Sequence, residues 1–345
     1  MADTTQERSA GGRGVPIPAA LPRMTTSHQL PGRARAARSG CTRCRSAPPG
    51  ADASGLAKAN IQQEDACDEH RLLHHQVGVG PIHEDSSGNA GASIATYAAA
   101  AGIPCRIYVP AAAPRGKLVQ IAVSGADVQQ ISGTRQDVTE AAMAAAEESF
   151  YASHNWQPFF IEGTKTLAFE LWEQLGFRVP DNILVPTGYG SNILGLERGF
   201  DELEKTGEIA ARPRFFAVQA ANCAAFAAAW AAGENRFVPI AARPTIADGI
   251  ATPKPVRVAE VLRALRRSKG GVVAVAEEEI AAALAALGRL GFFVEPTAAT
   301  AGAALTRLLN DGTIGADQST VVVLTGLGLK AADRIGELLG IASAR

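Results

Sequence analysis

The sequence predicts an α/β protein with open, mostly parallel sheets in two domains, preceded by an atypical N-terminal segment. Three observations carry that reading. From about Val77 onward, short β-branched runs alternate with longer helical stretches, the pattern of strands joined by helical crossovers. Glycine-rich turns follow several of those strands, where open α/β sheets hold ligands. Residues 1–96 contain no Phe, Tyr or Trp, and residues 1–50 hold eight arginines, six prolines and no lysine. A segment of that kind buries too little apolar area to offset the entropy of ordering it.

The elements follow in order. A strand is expected over 77–83 and a helix over 87–101, its alanine stripe suited to close packing and its end marked by Gly102 and Pro104. The β-branched run at 105–109 stops at Pro110. Next come a helix over 117–123, a strand over 126–131 and a helix over 137–150. Beyond them are a helix over 164–175, a strand over 183–185, a helix over 193–205 and a strand over 214–218. The pattern closes with a strand over 272–276, helices over 278–290 and 298–309, and a strand over 320–324. Residues 79–160 read as a small α/β domain and 161–345 as a large one, with 1–78 standing apart.

Two explanations compete for residues 1–78. One is a natural disordered extension; the other, favoured by the high Arg, Pro, Ala and Gly content, is out-of-frame translation of a GC-rich gene. The second predicts a lysine-bearing continuation in another frame of the DNA upstream of codon 78.

Composition narrows the function classes. A formal net charge of −1 gives no basic surplus for nucleic acid, and the early arginines have no aromatic residues among them. No window of eighteen or more residues is apolar enough to read as a membrane span. Five scattered cysteines fit a reducing cytoplasm better than a disulfide framework, and Asp3 and Glu7 argue against a transit peptide. Cys41, Cys44, Cys67 and His70 are of zinc-ligand type. They lack knuckle glycines and any strand pattern between them, so no metal is expected.

Three loops stand out. Glu84-Asp85-Ser86-Ser87-Gly88-Asn89-Ala90-Gly91 leads into an alanine-rich helix, Thr187-Gly188-Tyr189-Gly190-Ser191-Asn192 follows a strand ending at Val185-Pro186, and Thr325-Gly326-Leu327-Gly328 follows a third strand. Glycine there permits close backbone approach to an anion. Any one such loop is a weak signal; neither the Rossmann nor the Walker spacing is present.

The order of these loops with Glu162-Gly163-Thr164-Lys165-Thr166, Ile246-Ala247-Asp248-Gly249-Ile250-Ala251, Glu295-Pro296-Thr297-Ala298-Ala299 and the extension to Leu329-Lys330 resembles threonine synthase and its kin. These are fold-type II pyridoxal-phosphate (PLP) enzymes, and the resemblance covers roughly residues 77–340. It implies PLP as cofactor and a small amino-acid substrate. Asn89 would hydrogen-bond the cofactor's phenolic oxygen. Ser86, Ser87 and Gly88 would receive the substrate carboxylate. Gly188, Tyr189, Gly190, Ser191 and Asn192 would cradle the phosphate at a helix N-terminus, and Thr325 would face the pyridine nitrogen. Thr325 also suits a helix N-cap, and Tyr189 is bulky for such a loop. Family habit adds a homodimer.

Such enzymes hold PLP on a lysine that also carries the α-proton, in a Ser-Phe-Lys-Asp-type motif ahead of the asparagine loop. That motif is absent. Lys58 is the lysine at tolerable spacing, 28 residues before Ser86, in the context Gly55-Leu56-Ala57-Lys58-Ala59-Asn60, which reads more readily as a stray lysine in a disordered tract. Lys165, Lys254 and Lys330 belong to other motifs, and the resemblance gives none of them this role. The readings are therefore a threonine synthase-like lyase acting on O-phosphohomoserine, a threonine/serine dehydratase-like lyase on the same fold, or a non-catalytic PLP- or amino-acid-binding remnant.

Overall fold

The computed structural model describes residues 80–113 and 115–341; Lys58, Cys41, Cys44, Cys67 and His70 lie outside them. Two four-stranded parallel sheets organise these residues. The first is built from β1 (Ile82–Glu84), β2 (Cys105–Pro110), β3 (Asp127–Ile131) and β4 (Phe150–Tyr151), in the order β3-β2-β1-β4. Between them run α1 (Asn89–Ala101), α2 (Arg115–Ala122) and α3 (Arg135–Ala144). Ile82 pairs with Cys105 on one side and Phe150 on the other, so β1 is central. Ile82, Ala95, Ile107, Val109 and Ile121 form this sheet's core.

The chain continues through α4 (Pro158–Thr164) and α5 (Thr166–Gln174) to the second sheet. Its strands are β5 (Asn182–Pro186), β6 (Arg214–Ala220), β7 (Gly271–Val275) and β8 (Thr320–Val322), in the order β7-β6-β5-β8. The helices are α6 (Ser191–Lys205), α7 (Ala225–Ala231), α8 (Val258–Arg267), α9 (Glu277–Arg289), α10 (Pro296–Asn310) and α11 (Ala332–Leu339). They pack in two apolar clusters, one around Ile193, Phe200, Phe215, Phe226 and Leu262, the other around Leu184, Val218, Leu284, Ala299 and Leu305. Each fully buried aromatic there contributes about 1.5–3 kcal/mol of transfer free energy. All five residues of β5 are buried, as a central parallel strand covered on both faces requires.

The structure departs from the sequence reading between Ala144 and Tyr151. The helix expected to reach Phe150 ends at Ala144, a 3₁₀ turn follows over Ala145–Glu147, and Phe150 and Tyr151 pair with β1. Two consecutive aromatics favour a pleated, half-buried edge over a helix end, and His83 draws them in. Its imidazole stacks on Tyr151 with centroids 5.0 Å apart, its Nε2 donates to Ala142 O at 2.8 Å, and its Nδ1 meets Ser149 Oγ at 2.6 Å. Four helices that the sequence reading does not include, α4, α7, α8 and α11, also form. In α8 the residues Val258, Val261, Leu262 and Leu265 are buried, a single apolar stripe at helical spacing.

Candidate functional site

The three loops singled out in the sequence line one pocket of ≈ 430 Å³, with Lys117, His154, Phe160, Asp248, Glu295 and Lys330. Ser86, Ser87, Gly88 and Asn89 arrive from the end of β1, Thr187 to Asn192 from the end of β5, and Thr325 from beyond β8. Strand-end loops of both sheets thus face the same space.

Local geometry explains each loop. After β1 the chain folds back over the first turn of α1: Gly88 N–H donates to Ser86 Oγ at 3.1 Å, and Gly91 lies so close beneath Ser86 that a Cβ there would stand 2.9 Å from its carbonyl carbon. At the second loop Gly190 has φ 94° and caps α6 without a side-chain hydrogen bond. The helix therefore presents first-turn N–H groups and the positive end of its dipole to the pocket. Thr187 secures the loop by donating from Oγ1 to Val185 O at 2.7 Å. At the third, Thr325 Oγ1 is buried and, among the described residues, has no hydrogen-bond partner.

Charged groups whose roles sequence reasoning missed stand behind this pocket, with His154 in its lining and Glu84, Asp85 and Arg135 outside it. Glu84 and Asp85 are both fully buried at the end of β1. Asp85 Oδ2 accepts from Arg135 Nη1 and from Thr139 Oγ1, each at 2.8 Å. Burial alone would raise the Asp85 pKa, but the Arg135 hydrogen bond and charge carry it below the usual carboxylate range. Glu84 Oε1 pairs with His154 Nδ1. Burial pushes the Glu84 carboxyl up against the opposing pull of His154. Burial also works against charging His154, yet the Glu84 charge and hydrogen bond outweigh it and raise the imidazole's pKa. Ligand atoms of Glu84, Asp85 and His154 lie within 4.8 Å of one another. The His154 ring meets Phe160 and Tyr189 edge to face, with centroids 5.9 and 5.6 Å apart. The bulky Tyr189 thus packs on the imidazole.

On the far wall Lys117 Nζ is 2.9 Å from Asp248 Oδ2, while Lys330 Nζ donates to Asn89 Oδ1. Burial raises the Glu295 pKa, Asp248 adding to the effect, and lowers that of Lys330. None of these pairings has a local signature: His154 lies 70 residues from Glu84 and Lys330 lies 241 from Asn89. The one available clue to the first was His154 itself, the sole histidine after residue 83.

Residues 64–326 match the family model described as pyridoxal-phosphate dependent enzyme. The threonine synthase of Methanocaldococcus jannaschii is 36% identical over 262 residues, which is 75% of this chain and 65% of that one. That of Mycobacterium tuberculosis is 37% identical over 252 residues, 72% of this chain and 68% of that one. The chain thus spans about 65% of the length of the archaeal relative. Among solved structures, a T.th. threonine deaminase superposes with TM-score 0.64 at 24% identity, covering 78% of this chain and 83% of that one. A fungal L-serine ammonia-lyase from Rhizomucor miehei gives TM-score 0.68 at 21% identity, covering 81% and 88%. At those identities the structural likeness is one of fold.

Proposed function

We propose, from the premise that this chain belongs to the pyridoxal-phosphate dependent enzyme family, that it is a threonine synthase-like lyase. The reaction is conversion of O-phosphohomoserine to threonine and inorganic phosphate. The observation that carries the reading is convergence: an asparagine loop, an uncapped helix N-terminus and an unpartnered buried hydroxyl line one pocket.

The residues present fit pyridoxal 5′-phosphate. Gly188 and Gly190 form a cradle that side chains would fill, since a Cβ on Gly188 would meet Thr252 Oγ1 at 3.1 Å and Gly190 needs positive φ. Backbone N–H groups of Gly188, Tyr189, Gly190, Ser191 and Asn192 would hold the phosphate there. The Thr325 hydroxyl, unsatisfied among the described residues, suits the pyridine nitrogen. Because Asn89 Oδ1 is taken by Lys330, its Nδ2 is the face left to donate to the phenolic oxygen. Once bound, the cofactor supplies an electron sink for negative charge at the substrate's Cα.

The chain's own residues do the rest. Ser86, Ser87 and Gly88, at the N-terminus of α1, receive the substrate carboxylate. His154, held through Nδ1 by Glu84, presents its other ring nitrogen as a proton carrier at the pocket wall. Lys117, on Asp248, supplies positive charge for an anionic leaving group. A homodimer in the cytoplasm accompanies this reading, supported by family habit and by the free cysteines Cys105 and Cys223. Among the described residues no helix is long and apolar enough to cross a membrane.

A second reading, a threonine/serine dehydratase-like lyase, is favoured by one observation. No arginine among the described residues lines the pocket, and its cations Lys117, Lys330 and His154 all have partners already. Purified full chain supplied with PLP separates the readings. Phosphate released from O-phosphohomoserine supports the first, and 2-oxo acid with ammonia from threonine supports the second. Retention of PLP with neither product supports the non-catalytic binding protein.

A further inference from the structure

Two lysines line the pocket among the described residues, and they are held differently. Lys117 Nζ is held by the carboxylate of Asp248 at 2.9 Å. The hydrogen-bond partner of Lys330 is a neutral amide oxygen, Asn89 Oδ1. We propose that Lys330 is the amine that bonds the cofactor aldehyde in this chain. The inference rests on the cofactor reading above.

Geometry carries it. Lys330 sits in the 3₁₀ turn Gly328–Ala331, just after Gly326 and Leu327 close the ring-facing loop that begins at Thr325. Its Nζ reaches across the pocket to the one amide placed to hold the cofactor's phenolic oxygen. That oxygen and the aldehyde occupy neighbouring ring carbons, so with the phenolic oxygen held by Asn89 the Lys330 amine would be within reach of the aldehyde. Burial also lowers the pKa of Lys330, with Glu295 opposing and Lys117 assisting, which increases its nucleophilic neutral fraction. Glu295, whose own pKa burial raises, is the nearby group able to take a proton and return it.

The step balances. Nζ, as the neutral amine, adds to the aldehyde carbon, the carbonyl oxygen leaves as water carrying both hydrogens of the amine nitrogen, and a neutral C=N bond remains, which Glu295 is placed to protonate. No oxidant or reductant is needed. The sequence motif expected to supply the amine is absent, and this turn, from the opposite end of the chain, supplies one in its place.

The test combines retention with trapping on the full-length chain. Equilibrium dialysis against PLP measures binding, and borohydride reduction followed by peptide mapping locates the covalent label. The expected result is PLP retained and the label on the peptide bearing Lys330. In Lys330→Arg, which keeps a cation beside Asn89 but cannot form the C=N bond, PLP is still retained and the label at that peptide is lost. The exposed Lys205, with 73% of its side chain accessible, serves as the control for adventitious labelling. Retention with the label at Lys58, Lys117 or nowhere overturns the assignment while leaving the cofactor reading intact. No retention overturns both.

Discussion

Changing Gly91 to alanine sets two well-understood effects against each other. Gly91 is buried in the first turn of α1, and helix propensity alone predicts that alanine there stabilises by about 0.8–1 kcal/mol. The surroundings predict the reverse. The new methyl would overlap the Ser86 carbonyl group, standing 2.9 Å from its carbon and 3.3 Å from Ile107 Cγ2. The obstacle on one side is backbone, which cannot rotate away as a side-chain tip can, and on the other a fully buried isoleucine. Overpacking of this kind costs about 1–3 kcal/mol, more than the propensity gain. The 86–88 loop must move outward, and if it receives the substrate as proposed, a displacement of about 1 Å lowers kcat/KM by roughly 10²-fold. Gly88→Ala is the paired control: its Cβ would meet only Ser86 Oγ, at 3.6 Å, so a change within about 0.5 kcal/mol is expected. Urea unfolding of the three proteins measures stability, and dialysis against PLP with steady-state kinetics reads the site. A Gly91→Ala chain as stable as wild type would refute the steric reasoning, because propensity would then have won.

Three further outcomes follow from the buried groups. Glu84 and His154 both have raised pKa values, so each contributes stability that is full at low pH and lost as pH rises. The wild-type urea midpoint should therefore fall upward from pH 6.5, the ordinary histidine value, more steeply than that of Glu84→Gln; parallel pH profiles would contradict the pairing. Thr325→Val removes a buried hydroxyl without a partner among the described residues. It should leave the apo chain equally or more stable, since an unmet buried group costs about 1–3 kcal/mol, while weakening PLP retention by up to about 10-fold for a lost hydrogen bond; unchanged retention would remove Thr325 from the cofactor's contacts. Arg135→Met leaves the Asp85 carboxylate with Thr139 as its remaining hydrogen-bond donor among the described residues, and a loss of about 1–3 kcal/mol is expected. Because the Asp85 pKa is lowered by Arg135, the deficit should be full near neutrality and shrink as acid protonates the group, and a deficit constant with pH would count against it.

What the sequence revealed and what it hid divide along a physical line. Loops 86–91, 187–192 and 325–328 were legible because a tight turn needs consecutive small and polar residues, so their chemistry is written locally. Strands 105–109 and 214–218 were legible for the same reason, through short runs of β-branched and aromatic residues. The Glu84–His154 pair was not, because it depends on the parallel pairing of β1 with β4, and β4 is two residues long inside what reads as a helix tail. Lys117–Asp248 and Lys330–Asn89 were hidden likewise, joining residues 131 and 241 positions apart. Even Gly91 and Gly88 look alike in the sequence; only the fold distinguishes the glycine under a carbonyl from the one with room above it.

That division bears on how activity and binding relate in this chain. The contacts proposed for phosphate, ring nitrogen and phenolic oxygen come from loops whose geometry is fixed locally and by the two sheets. The proposed amine and proton carrier depend instead on long-range placement of single side chains, Lys330 and His154. Binding and proton transfer are therefore separable: an altered loop removes both, whereas an altered lysine or histidine leaves retention and removes about 10²–10⁴-fold of rate through the lost acid–base group. Retention of PLP alone thus reports on the glycine loops. A label fixed on one named lysine is what reports on the chemistry, and it reports even where turnover is too slow to see.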